Sequence, residues 1–204
     1  MLWYQSIPLW LQKWLPSLIW QKPIQDQKIV YLTFDDGPHP DITPWVLETL
    51  KSKGCKATFF CVGDNVRKHA ETYRQVIDDG HQIGNHTMHH IKGWSNSTEA
   101  YCQNISQAAE YIDSKLFRPP YGRISKGQIK ALKDSYQIVM WNLLSCDFNP
   151  HLNVAKALDN LKRKTQSGSI IVFHDSIKAA PQLKQLLPAY IDFLIDNGYS
   201  CQKL

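Results

Sequence analysis

From Lys28 to the C-terminus the chain alternates strand-like and helix-like segments, and this regularity restricts its fold more than any other feature. Ile29, Val30, Tyr31, Leu32, Thr33 and Phe34 form a run rich in β-branched and aromatic residues, halted by Asp36-Gly37-Pro38. Thr43-Pro44 then reads as an N-cap followed by proline at the first helical position, opening a helix to about Gly54. Next come a strand from Ala57 to Val62, a helix from Val66 to Asp79 closed by Gly80, and a short strand near His81 to Asn85. A helix from about Thr98 to Ile112, a strand near Leu116 to Arg118 and a helix from Lys126 to Lys133 follow. The pattern ends with strand Gln137 to Asn142, helix Val154 to Lys164, strand Ser169 to His174, helix Gln182 to Asp196 and strand Tyr199 to Gln202.

Strands separated by helices connect through right-handed crossovers, which predicts an α/β fold with a mainly parallel sheet. Seven strands suit a barrel or an open doubly wound sheet. At 204 residues the chain is shorter than the ~250 of an ordinary eight-fold barrel, so a barrel here must be small or incomplete. No repeat or linker divides it, so a single domain over residues 28–204 is expected, with residues 1–27 as an apolar, aromatic segment packed on it.

That segment carries Trp3, Trp10, Trp14 and Trp20 among leucines, and Trp10, Trp14 and Leu18 fall at helical spacing. It reads as a short helix capping the core or as an interfacial anchor in weak contact with a membrane surface. A secretory leader needs a cationic start and an unbroken apolar run. Here Lys13 stands mid-segment and Pro8, Gln12 and Pro16 interrupt, so the expected compartment is the cytoplasm, with the cell envelope left open. No transmembrane segment is predicted. Lys and Arg exceed Asp and Glu by 23 to 18, but the excess is scattered and the longest basic run, Lys162-Arg163-Lys164, sits on a helix, which argues against nucleic acid. Cys55, Cys61, Cys102, Cys146 and Cys201 form no C-x-x-C pair, which disfavours a disulfide scaffold or a cysteine zinc site. Oligomeric state is not encoded in any of these patterns.

Position is the informative property of the reactive residues. Asp35 and Asp36 end the first strand, His86 the third and Arg118 the fourth; Asp147 follows the fifth, and His174 ends the sixth. All lie at the C-terminal side of a parallel sheet, where such folds place their sites. Adjacent carboxylates held in one buried site repel; a cation on one of them leaves the other ionised and able to act as a base. Taken alone, Asp35-Asp36 also suits an ordinary turn. If residues 86–90 form a helical turn, His86 and His90 share a face and His89 is the spectator. Two imidazoles and one carboxylate with an open position match a catalytic zinc site, and the same donors suit cobalt or nickel. Arg118 either pairs with Asp35 or is a surface arginine, and Phe117 to Gly122 forms a proline-stiffened turn able to hold an N–H toward an oxyanion. His174 is a structural histidine or a general acid.

Thr33-Phe34-Asp35-Asp36-Gly37-Pro38, His86-Thr87-x-x-His90, Arg118-Pro119-Pro120-Tyr121, Asp147 and Val172-x-His174 together resemble the polysaccharide deacetylases, carbohydrate esterase family four. The resemblance runs from about Lys28 to the C-terminus in the family's motif order. It implies a distorted seven-stranded β/α barrel and metal-dependent removal of acetyl groups from amino sugars. It implies further that Asp36, His86 and His90 hold the metal and that Asp35 is the base, held by Arg118. By the same match the Tyr121 N–H supports the oxyanion, and His174, tuned by Asp147, is the acid. The fourth motif departs from the usual Asp-x-x-Asp-Trp, with Leu144 and Phe148 at its ends, and Val172 replaces leucine in the fifth, so Phe148 and Val172 bear on substrate binding. Trp94, Trp141 and Tyr121 are candidate sugar platforms. An acetylated glycan is thus the expected partner. The rival readings are a metal amidase of a small cyclic amide or urea, and a sugar-binding module without catalysis.

Overall fold

The structure is a computed structural model that describes residues 14–24 and 26–204. Its strands are β1 (Ile29–Asp35), β2 (Ala57–Cys61), β3 (Gln82–Asn85), β4 (Leu116–Phe117), β5 (Gln137–Ile138), β6 (Leu143–Leu144), β7 (Ile170–His174) and β8 (Ser200–Cys201). Seven follow the path β5-β4-β3-β2-β1-β7-β6, every pair parallel, and β8 adds to the start of β1. The result is the expected distorted β/α barrel, a curled parallel sheet wrapped by helices in one domain. The helices are α1 (Thr43–Ser52), α2 (Gly63–Lys68), α3 (Ala70–Asp78), α4 (Thr98–Ala109), α5 (Lys126–Leu132), α6 (Val154–Lys164) and α7 (Ala180–Asp196).

The period-two geometry of β1 sorts its residues between two environments. Val30, Leu32 and Phe34 pack outward with Val46, Leu50, Leu187 and Ile191 of α1 and α7. Tyr31 points to the other side, into a plug with Phe60, Leu116, Val139 and Ile170. Thr33 and Asp35 share that inner face, so Asp35 stands above an apolar floor at the strand's C-terminal end.

Several local readings change. Thr43 is the first helical residue rather than the N-cap, and its hydroxyl turns to Asp175. The single helix expected from Val66 to Asp79 is two, because α2 starts at Gly63 and breaks at His69. Gly63 and Asp64 donate their N–H groups to the Thr87 and Met88 carbonyls at 3.0 Å, tying α2 to the loop after β3. The strand expected from Gln137 to Asn142 is reduced to β5 at its start, and β6, just beyond its expected end, lies at the opposite end of the sheet.

Trp3 and Trp10 lie outside the described residues. Leu18 and Trp20 are buried with Ile105, Ile129 and Met140. Ile19 pairs in parallel with Val139, and Lys22 donates to the Gly168 carbonyl at 2.9 Å, so residues 19–22 bridge from the β5 edge to the loop before β7. The five cysteines are free, and no described helix is long and apolar enough to cross a membrane.

Candidate active site

Three clusters meet above the plug. The first is built on Arg118, which is fully buried. Its guanidinium donates to Asp35 Oδ1 and Thr33 Oγ1 at 2.7 Å, to the Met140 carbonyl at 2.9 Å and to the Val139 carbonyl at 3.3 Å. Its central carbon lies 4.0 Å from the centre of the Phe60 ring. Thr33, two residues before Asp35, thus helps to hold the arginine that holds Asp35. Burial opposes the arginine's charge, and Asp35 works the other way.

The second cluster gathers Asp36, His86 and His90, whose ligand atoms all lie within 4.8 Å of one another. The expected helical turn over 86–90 does not form. Thr87 and His90 instead take left-handed backbone at φ 68° and 53°. Asn85 Oδ1 accepts the Thr87 N–H at 2.8 Å, and Asn104 of α4 accepts the N–H groups of Met88 and His89. Asn104 also bonds the His89 ring at 2.8 Å and turns it toward α4, away from the cluster. His90 Nε2 lies 3.1 Å and His86 Nε2 3.7 Å from Asp36 Oδ1.

His86 Nδ1 lies 2.8 Å from the Arg118 carbonyl, which only accepts, so Nδ1 carries the proton and Nε2 keeps its lone pair. Burial pulls the His86 imidazole down to about 4, against the nearby carboxylates, so it is neutral at pH 7. Burial pushes the Asp36 carboxyl up, but the hydrogen bond from His90 and the neighbouring imidazoles bring it well below the usual range. A neutral imidazole with an outer-shell carbonyl and an ionised carboxylate are the states a divalent cation requires.

The third cluster is His174 with Asp147. Both oxygens of the buried Asp147 carboxylate serve one residue: Oδ1 meets His174 Nδ1 at 2.7 Å and Oδ2 accepts the His174 N–H at 2.8 Å. Burial opposes charge on this imidazole, but Asp147 outweighs it and raises His174 to about 9. Asp35 and His174 are register partners on the neighbouring strands β1 and β7.

The clusters share a cavity of about 360 Å³, with Tyr121, Trp141, Leu144, Phe148, Val172 and Lys178 completing its wall. Phe148 meets the His174 ring edge-on at 5.1 Å. Tyr121, 4.7 Å from the His90 ring, has φ 60°, and no described group accepts its N–H. Trp94, by contrast, does not line this cavity. The non-glycine residues with positive φ, Asp36, Thr87, His90, Tyr121 and Cys146, all lie in loops after β1, β3, β4 and β6. Such conformations cost about 1–3 kcal/mol each and gather where surrounding contacts hold them for function.

Lys178 and Asp175 belong to no motif legible in the sequence. Asp175 is fully packed beneath the Asp36-Gly37 turn, bonding the Gly37 N–H at 3.1 Å and Thr43 Oγ1 at 2.5 Å. Burial, aided by the Asp36 charge and opposed by these hydrogen bonds, raises its carboxyl to about 8. Its sequence signal is only adjacency to His174, because its partners lie about 130 residues away.

Comparison with known proteins agrees with this geometry. A family model described as polysaccharide deacetylase matches residues 22–137, more than half of the chain. The chain belongs to the polysaccharide deacetylase family. Within that family it is 33% identical over 189 residues to a peptidoglycan-N-acetylglucosamine deacetylase of Bacillus cereus, covering 88% of this chain and 87% of the relative. It is 33% identical over 159 residues to a chitooligosaccharide deacetylase of Azorhizobium caulinodans, covering 74% and 75%. A crystal structure of a peptidoglycan N-acetylglucosamine deacetylase superposes with a TM-score of 0.87 at 28% identity, covering 96% and 94% of the two chains. The polysaccharide deacetylase fold is also found in a Bacillus anthracis pseudoenzyme, at TM-score 0.79 and 23% identity over 93% of this chain and 68% of that one. Fold alone therefore does not establish turnover, and the site residues must carry that conclusion.

Proposed function

We propose that this protein hydrolyses the N-acetyl groups of amino sugars in a glycan of the peptidoglycan or chitin type, releasing acetate, with a divalent metal held by Asp36, His86 and His90. One observation carries the reading: Asp35 clamped by Arg118, the three-ligand cluster, and the charged His174–Asp147 pair converge on one cavity. Three nitrogen and oxygen donors with an open position favour zinc, with cobalt and nickel as workable substitutes. When bound, such an ion polarises the acetyl carbonyl and acidifies water.

The chain's own groups supply the remaining chemistry. Asp35 accepts the proton of the attacking water as the tetrahedral centre forms. The free Tyr121 N–H donates to the developing oxyanion, its orientation set by the left-handed turn between Pro120 and Gly122. His174, charged at pH 7, delivers a proton to the departing amine, and Asp147 keeps Nδ1 occupied so that Nε2 faces the leaving group. Phe148, Val172 and Leu144 give the acetyl methyl an apolar wall. Tyr121 is 53% exposed, so the cavity opens to solvent on that side, where a sugar within a longer chain has room to enter.

The test is acetate release from N-acetylated chitin oligomers and peptidoglycan fragments, after chelation and again after adding zinc or cobalt. Metal-restored acetate is the expected result. Binding without acetate would place the protein with the pseudoenzymes, and hydrolysis of a cyclic amide alone would move it to another substrate class.

A further inference from the structure

Cys55 and Cys201 are far apart in the chain, yet the end of the sheet opposite the site brings them together. Ala57, at the start of β2, is the register partner of Leu32 on β1. Val30, two residues before Leu32, is the register partner of Cys201 on β8. Register partners point the same way and side chains alternate along a strand, so Val30, Leu32, Ala57 and Cys201 share the outer face. Cys55, two residues before Ala57, continues that face, and all five are buried in the one core cluster beneath α1 and α7.

The backbone fixes the approach. β8 enters where β1 and β2 have not yet paired: the Lys56 N–H donates to the Cys201 carbonyl at 3.2 Å, and the Gln202 N–H donates to the Val30 carbonyl at 3.0 Å. Gly54, at φ 64°, turns the chain out of α1, and the Cys55 N–H returns to the Leu50 carbonyl at 2.9 Å. Across this junction the two thiols share a hydrogen bond.

The five thiols are not equivalent. Burial pushes Cys61 and Cys102 up and takes Cys146 to about 12. Cys55 is instead pulled down by the hydrogen bond from Cys201, which outweighs burial, with help from the Lys53 charge. The same bond, together with burial, pushes Cys201 up. The thiolate is the reactive form of cysteine, so Cys55 is the nucleophile of the pair and Cys201 the thiol placed to resolve it.

We propose that Cys55 and Cys201 form a reversible redox modification site, an intramolecular disulfide made with hydrogen peroxide as the oxidant, which ties β8 to the entry of β2. The Cys55 thiolate attacks one peroxide oxygen and the O–O bond breaks. Cys55 is left as the sulfenic acid, and the departing hydroxide takes up the Cys55 proton as water. The Cys201 sulfur then attacks the Cys55 sulfur, the S–O bond breaks, and the hydroxyl leaves with the Cys201 proton as a second water. Two thiols are oxidised to one disulfide, and one peroxide is reduced to two waters. The bridge closes a loop running from β2 to β8, so it stabilises chiefly by restricting the unfolded chain. Asp35 and His174 end their strands at the opposite end of the sheet, so turnover should not change.

The experiment takes the zinc-loaded full chain, reduced with dithiothreitol or treated with hydrogen peroxide, and unfolds it in urea with iodoacetamide for peptide mass mapping. The oxidised protein should yield one bridged peptide pair holding Cys55 and Cys201, with only Cys61, Cys102 and Cys146 alkylated. Its Tm should rise by roughly 5–10 °C, acetate release should stay the same, and dithiothreitol should reverse the change. Cys55→Ala and Cys201→Ala should each abolish the bridge and the Tm gain, and Cys201→Ala should leave a Cys55 sulfenic acid that dimedone traps. Mapping and melting of wild type decide the question even where a variant fails to fold. Alkylation of all five thiols after peroxide, oxidation of Cys55 to the sulfinic acid without a bridge, or a bridge only between chains would overturn the proposal. A Cys55–Cys201 bridge that leaves Tm unchanged would overturn the tie on β8. Bridge formation without acetate release in either redox state would count against the deacetylase reading and leave the redox site standing.

Discussion

Asp147→Asn tests the proton-delivery reading because it changes charge and little else. In the folded protein both Asp147 oxygens are committed to His174, and the imidazole is raised from an ordinary 6.5 to about 9. At ~1.4 kcal/mol per pH unit, that rise corresponds to about 3 kcal/mol favouring the charged ring. Asparagine keeps the size and one acceptor but not the charge. Burial, which opposes the charge, then meets only the more distant Asp36 and Asp35, and His174 should fall to its ordinary value or below. A bound cation lowers the ring in both proteins, so the difference survives metal loading.

The assay is a rate profile from pH 5 to 10 on one N-acetylated oligosaccharide, paired with an NMR titration of the His174 ring. The alkaline limb should move down by about two and a half pH units, costing on the order of 30-fold in rate at pH 8, with metal content unchanged. The limbs report macroscopic values, so the ring titration must move with them. The sign for stability follows. A histidine raised on folding stabilises fully below its unfolded value near 6.5, and the stabilisation fades as pH rises through about 9. Wild type should thus lose up to ~3 kcal/mol from this group between pH 6 and 10, and Asp147→Asn should not. An alkaline limb that stays in place in Asp147→Asn would refute the reasoning and assign the proton to another donor.

Four further outcomes are expected. Arg118→Met should cost about 3–5 kcal/mol in urea unfolding, because it strands the buried Asp35 carboxylate; a loss under ~1 kcal/mol would mean the pair is not what holds Asp35. His90→Ala should lose the bound divalent ion by elemental analysis and His89→Ala should keep it, since Asn104 turns His89 away. Asp35→Asn should stay folded and metallated, melt somewhat lower because Arg118 loses its counter-charge, and lose roughly 100-fold or more in rate. If that variant loses its metal while Asp36→Asn retains it, the two aspartates exchange roles. Gly37→Ala would put a Cβ 2.0 Å from Asp175 Oδ2, so its thermal melt should fall by at least the ~1–3 kcal/mol of ordinary overpacking.

Much of this site was legible in the sequence because it sits where local rules apply. Strand runs such as Ile29–Phe34, stopped by turn residues, locate the C-terminal ends of parallel strands, and the acids and histidines fall on those ends. Period-two alternation is also local, and it alone places Thr33 and Asp35 on one face. What the sequence could not show depends on contacts between distant segments. His86 and His90 approach through a left-handed loop held by Asn85 and Asn104, because hydrogen bonds across the fold override the helical spacing that the residues suggest. Arg118 was open between a surface residue and a clamp until β4 came within reach of β1, more than 80 residues away in the chain. Asp175 reads as a neighbour of His174 but, one residue past the end of β7, works under Gly37, held there by the Gly37 N–H and the Thr43 hydroxyl. Ile19, which carries no strand signal, makes a single bridge beside β5, donating its N–H to the Ile138 carbonyl and accepting the Met140 N–H where β5 and β6 part and leave backbone groups to be satisfied. Local periodicity sets where reactive residues stand along each element; only the packed fold decides which of them face one another.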